Sequence, residues 1–205
     1  MYPATIQKLI DLFSKFPTVG PRTAARFVFY LLKKPKEEIE ELINSINNLK
    51  KTLRLCSFCF NPFEDEINLC SICSDSNRNR NLLCLIEKEI DLISLEKTKK
   101  YNGLYFILGG TLSNLKKENI KKLRVKELEE RIKNPEKFGM IKGQFKEIII
   151  ALNPTIEGQS TSLYLERLLK PLNVKITRLG RGLALGAELE YADEETLSAA
   201  FEGRK

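Results

Sequence analysis

Four cysteines carry the sharpest chemical signal in this chain: Cys56-x2-Cys59-x10-Cys70-x2-Cys73. Each C-x-x-C pair can turn two sulfurs to one side, and two pairs supply the tetrahedral thiolate set of a structural zinc ion, one per chain. Asn61-Pro62 and the Asp- and Asn-rich flank are turn-prone, as a metal knuckle requires. Four thiolates fill the coordination sphere, so such an ion would fold the segment and leave no position for a reacting water. Two disulfides or a redox pair are the other readings of these residues. Stable disulfides need an oxidising compartment, however, and two matched pairs exceed what a redox motif uses. The segment has almost no apolar core of its own and is expected to lose its fold without metal. The fifth cysteine, Cys84, sits in an apolar run and reads as core.

The second chemical candidate is acidic. Glu87 closes the apolar run from Asn81, Asp91 follows four residues later, and Glu157 lies in the segment Asn153-Pro154-Thr155-Ile156-Glu157-Gly158. Grouped carboxylates can hold a hard cation. The chain contains no His, which excludes an imidazole general base, a Ser/His or Cys/His nucleophile pair and any His-based metal site. Tyr164 and Tyr191 are the remaining conceivable nucleophiles, but their apolar-periodic or strand-like contexts point to core packing.

The elements that position these residues fall into four zones: 1–53, helical; 54–76, short and Cys-marked; 80–175, alternating strand and helix; and 176–205, a strand, a Gly-rich loop and a final short helix. Asn81–Ile86, Gly103–Leu108 and Glu147–Leu152 are nearly continuous apolar runs, and Val174–Leu179 is a weaker fourth. Strands buried on both faces look like this. Helical patterns over Asp91–Lys99, Lys117–Ile132 and Ser160–Leu169 lie between them. That order predicts a small α/β domain with a parallel sheet, flanked by helices and right-handed crossovers. Functional groups then belong beyond the carboxyl ends of the strands, where Glu87 and the loop after Leu152 fall.

Near the N-terminus, two apolar-periodic helices flank Phe16-Pro17-Thr18-Val19-Gly20-Pro21. Pro21 suits the first turn of the second helix, and Gly20 is expected to provide the tight geometry before it. Arg22 and Arg26 share one face, one turn apart. A helix start with arginines beside it grips phosphate without reading sequence. An ordinary αα-hairpin with solvated arginines is the other local reading. The net charge of +7 suits a polyanionic partner. The chain lacks an 18-residue apolar run, and its N-terminus lacks the signature of a signal peptide, so it is expected in the cytoplasm with no membrane partner.

The hairpin FPTVGPRTAARFVFYLL resembles the helix-hairpin-helix of RecR proteins, with Thr18 where their pattern has a Gly, which predicts a slightly altered hairpin. The carboxylates at strand ends resemble the Toprim domain of topoisomerases, primases and RecR. The catalytic members pair a Glu after the first strand with Asp-x-Asp after a later one to hold magnesium. Here Asn153-Pro154-Thr155 lacks both aspartates, so Mg²⁺ is not expected to bind tightly. Glu87, Asp91 and Glu157 are then expected to shape a partner surface or cap helices. Gly103–Leu115, Asn153–Leu183 and Leu189–Arg204 extend the RecR resemblance over nearly the whole chain.

That resemblance implies a recombination-repair mediator. It would bind single- and double-stranded DNA through Arg22 and Arg26, work with RecO and RecF partners to load recombinase at gaps, and form a homodimer or ring-like homotetramer in the bacterial cytoplasm, nucleoid-associated during repair. A magnesium-dependent nuclease or strand-passing enzyme using Glu87, Asp91 and Glu157 is the alternative. A protein-interaction module built on a zinc knuckle is a third.

Overall fold

The apolar runs do form one sheet, buried on both faces in its centre and half-exposed at the edge strand made by the weaker fourth run. In the computed structural model, which describes residues 2–112, 121, 123–140, 145–180, 182–183 and 185–204, strands β3 (Asn79–Ile86), β4 (Gly103–Ile107), β5 (Glu147–Ala151) and β6 (Lys175–Arg178) make one sheet. Its order is β4-β3-β5-β6 and every pairing is parallel. Side chains alternate between two cores: Leu83, Leu85, Leu104, Phe106, Ile148 and Ile150 on one face, Cys84, Ile86, Tyr105, Ile107 and Ala151 on the other. Burial of both faces removes the polar alternation that a one-sided sheet would show.

Helix α5 (Glu89–Lys97) links β3 to β4 on one side, and α7 (Ile156–Leu169) links β5 to β6 on the other. Connections that leave neighbouring strands in opposite directions open a crevice at their carboxyl ends. Here that crevice lies between β3 and β5, where Glu87 and Asn153 emerge.

Helix α7 starts four residues before the predicted Ser160. Thr155 caps it by accepting a hydrogen bond from the Gly158 N–H at 3.1 Å. Gly158 is needed there, since a β-carbon would fall 1.9 Å from the Asn153 carbonyl oxygen. Of the predicted helix over Lys117–Ile132, α6 spans Val125–Lys133; positions 117–120 and 122 lie outside the described residues, as do 113–115 and 181 of the matching motifs.

Contacts divide the chain into two units, Met1–Leu53 and Arg54–Lys205. The first holds α1 (Ala4–Phe13), α2 (Pro21–Leu32) and α3 (Lys36–Thr52). Ile10, Ala24 and Val28 form its small core, with Ile6, Phe13 and Val19 packed against them. The second holds the sheet, a two-stranded ribbon of β1 (Arg54–Leu55) and β2 (Pro62–Phe63), the single turn α4 (Ser71–Ser74) and the C-terminal α8 (Glu194–Glu202). No helix among the described residues is long and apolar enough to cross a membrane.

Two expectations need correction. Gly20 does not supply the tight turn: its φ is −83°, and nothing lies within 4 Å of where a β-carbon would sit. Thr18 supplies it instead, at φ 64°. A threonine there takes the left-handed conformation that glycine adopts freely, which puts backbone strain into the hairpin. Tyr191 is not a core residue; it is 81% exposed.

Candidate metal centre and nucleic-acid interface

The knuckle begins where the chain leaves β1 and folds back on itself. Cys56 N–H donates to the Asn61 carbonyl at 2.9 Å and Phe60 N–H to the Cys56 carbonyl at 3.1 Å, which closes the first C-x-x-C turn. Phe60 reaches φ 66° to complete it. In the second pair, Ser74 N–H donates to the Cys70 carbonyl at 3.0 Å as α4 forms.

These turns bring the sulfurs of Cys56, Cys59, Cys70 and Cys73 within 4.8 Å of one another. All four are buried and none is in a disulfide. Cys59 and Cys70 sulfurs are 3.5 Å apart, close to the about 3.8 Å edge of a tetrahedron with 2.3 Å metal–sulfur bonds. The Asn61 N–H points at the Cys59 sulfur and the Cys70 N–H at the Cys56 sulfur, each at 3.4 Å. Such donors stabilise thiolate charge. Hydrogen bonds from Cys59, Cys70 and Cys73 push the Cys56 thiol far down, while Cys59 and Cys73 are pushed up, chiefly through Cys56. A cation among the sulfurs replaces such shared protons. The set can therefore hold a metal ion, and among the described residues it is the only cluster of three or more His, Cys, Asp or Glu side chains that can.

The apolar support that this segment lacks comes from the sheet. Phe58 and the four cysteines belong to one buried cluster with Leu83, Phe106, Leu128 and Ile148. Arg131 of α6, which the sequence reading did not single out, ties the two together. Its guanidinium donates to the carbonyls of Ser57 and Phe58 and lies 4.3 Å from the Phe60 ring centre and 4.0 Å from that of Phe138.

At the crevice, Glu87 is buried. Its carboxylate accepts from the Asn153 side-chain amide at 2.9 Å and pairs with Lys88 at 2.9 Å. Asp91 accepts from the Lys88 backbone N–H at 2.9 Å, closing the first turn of α5. Glu157 stands exposed in the first turn of α7. The structure thus places the three acids beyond the carboxyl ends of the central strands β3 and β5 and gives Glu87 and Asp91 protein partners. Asp91 and Asn153 also line a cleft of about 620 Å³ with Gln159, Arg178, Asp193 and Glu195. The engagement of Glu87 by Asn153 was not read from sequence; the nearest signal was an amide standing where a metal site would need a carboxylate.

In the other unit, Arg22 and Arg26 are both exposed on α2, one turn apart, beside a helix start with Pro21 at its first position.

A parallel sheet with acidic residues beyond its strand ends, a buried four-cysteine knuckle and a helical hairpin unit together have the arrangement of a Toprim-type α/β protein with two appended modules. The comparisons agree: the family models described as "Toprim domain", "RecR, helix-hairpin-helix" and "RecR, C-terminal" match residues 81–180, 6–50 and 182–205. The chain is 42% identical over 203 residues to the recombination protein RecR of Clostridium perfringens, spanning 99% of this chain and 97% of that one. It is 44% identical over 204 residues to that of Bifidobacterium animalis subsp. lactis, spanning 100% and 97%. The chain belongs to the RecR family.

Proposed function

We propose that this protein is a non-catalytic clamp and adaptor on DNA in recombination repair. The observation that carries the reading is the state of the crevice acids. Glu87 is taken up by Asn153 and Lys88, and Asp91 by a helix cap, so these carboxylates serve protein contacts rather than a magnesium ion. Glu87, Asp91 and Glu157 then mark a surface for RecO- and RecF-type partners, with which the protein helps load recombinase at single-stranded gaps. Arg22 and Arg26 grip phosphates of single- and double-stranded DNA without sequence preference. Zinc, one ion per chain, is the metal of the four cysteines, because an all-sulfur tetrahedral set suits it.

Exposed apolar residues support a homodimer or ring-like homotetramer. Helix α3 buries no residue although Leu42, Ile43, Ile46 and Leu49 line it, and Leu189, Tyr191 and Phe201 near the C-terminus are also exposed. The working division is 1–53 for DNA, 54–76 for the metal, 80–175 for the Toprim domain and 176–205 for the C-terminal segment. The setting is the bacterial cytoplasm, at the nucleoid during repair.

Arg22→Glu combined with Arg26→Glu tests the grip. Binding to single- and double-stranded DNA should weaken together, and the slope of log affinity against log salt should fall by about 2. Parent-like binding by the double variant would remove the hairpin as the DNA site. Glu87→Gln tests the absence of chemistry: magnesium-dependent nicking by pure protein, abolished in that variant, would establish an enzyme instead.

A further inference from the structure

The arginine face of α2 continues past Arg26 into a shallow cleft lined by Tyr2, Arg22, Ala25, Arg26, Phe29, Tyr30 and Lys33. Arg22, Arg26, Tyr30 and Lys33 recur at helical spacing along one stripe, about 16 Å from first to last at 1.5 Å per residue. The lining holds three cations and no carboxylate, so the stripe is complementary to a run of phosphates. Its aromatic residues are not core. Tyr30 is 59% exposed and Tyr2 48%. Tyr2 packs its ring edge-on against Phe29 at 5.6 Å, which steadies the N-terminal segment beside the helix. Lys34 sits 5.0 Å from the Tyr30 ring centre while ion-paired to Glu38 at 2.8 Å. An exposed ring steadied by a lysine whose own charge is already matched, beside cations that have no ion pair among the described residues, is the arrangement that holds a base while its backbone is neutralised.

We propose that this shelf is a single-strand site in which Tyr30, with Tyr2 beside it, stacks unpaired bases while Arg22, Arg26 and Lys33 hold the phosphates. The inference rests on the hairpin being the DNA site and adds a preference that arginines alone do not provide. Bases are open for stacking only where the duplex is absent, so the shelf favours single strands over duplex.

The test compares an oligothymidylate with an abasic strand carrying the same number of phosphates, by fluorescence anisotropy on the full-length protein. The intact protein should prefer the strand with bases by roughly 5- to 150-fold, the range expected for stacking one base. Tyr30→Ala should abolish that preference and leave abasic binding unchanged, and Tyr30→Phe should keep it. Arg22→Glu with Arg26→Glu should weaken both strands; if it weakens neither, the hairpin reading itself fails. Equal affinity of the intact protein for the two strands would overturn the stacking site and leave the phosphate grip standing. So would a Tyr30→Ala variant that changes mass in solution and loses both strands together, because the ring would then cover a second copy of this chain.

Discussion

Replacing Arg131 by methionine removes the guanidinium that joins the knuckle to the sheet domain while keeping most of the side chain's apolar stem. In the intact protein its Nε donates to the Phe58 carbonyl at 2.8 Å and its Nη2 to the Ser57 carbonyl at 2.7 Å. The same group lies over the Phe60 and Phe138 rings. Leaving two carbonyls without their donor costs about 1–3 kcal/mol each, and the lost cation–π contacts add about 1–2 kcal/mol. Against this, the substitution relieves the burial of a cation, which holds the Arg131 pKa below its ordinary value. A net loss of about 3 kcal/mol is expected, a large share of the roughly 5–15 kcal/mol that stabilises a domain. Urea unfolding at constant metal content, followed by far-UV circular dichroism, measures it. Exposed Lys126→Met on the same helix serves as control and should stay within about 0.5 kcal/mol of the parent. If Arg131→Met lost less than about 1 kcal/mol with its metal content intact, the argument that these carbonyls depend on Arg131 would be wrong.

Three further outcomes follow from the same geometry. Stripping the metal with a strong chelator should lower the melting temperature of the whole sheet unit in a single transition, because the cysteines share its core; a separate knuckle transition with an unshifted sheet would contradict that. Thr18→Gly should stabilise the hairpin unit by about 1 kcal/mol in denaturant titration, since glycine adopts the observed positive φ without strain; a destabilised variant would show that the strain is absent. Arg78, hydrogen-bonded to both oxygens of Glu96, holds that carboxyl below the usual carboxylate range. A depressed carboxyl stabilises above its unfolded value and loses that contribution as pH falls through its folded one, so Glu96→Gln should flatten the decline in stability below about pH 4.3, read as midpoint against pH; an unchanged slope would dismiss the pair.

Much of this protein is decided within short stretches of chain. Paired C-x-x-C spacing specifies four sulfurs turned to one side, because the turn is local. Continuous runs such as Gly103–Leu108 specify strands buried on both faces, since a strand with one wet face would alternate. Asp91 as a first-turn acid is equally local, and it does close its own helix. Thr18 and Gly20 mark where local reading fell short: residue type pointed to glycine for the turn, and the conformation fell on threonine because the packing of α1 on α2 dictates the path between them. What joins distant stretches was settled only by tertiary structure. Asn153 meets Glu87 across 66 positions because β3 and β5 are neighbours, and Arg131 reaches the knuckle across 73 because α6 packs over it. Pattern and spacing act over a turn or two, whereas the partner of a buried charge is set by strand order and helix placement, which the whole core chooses at once.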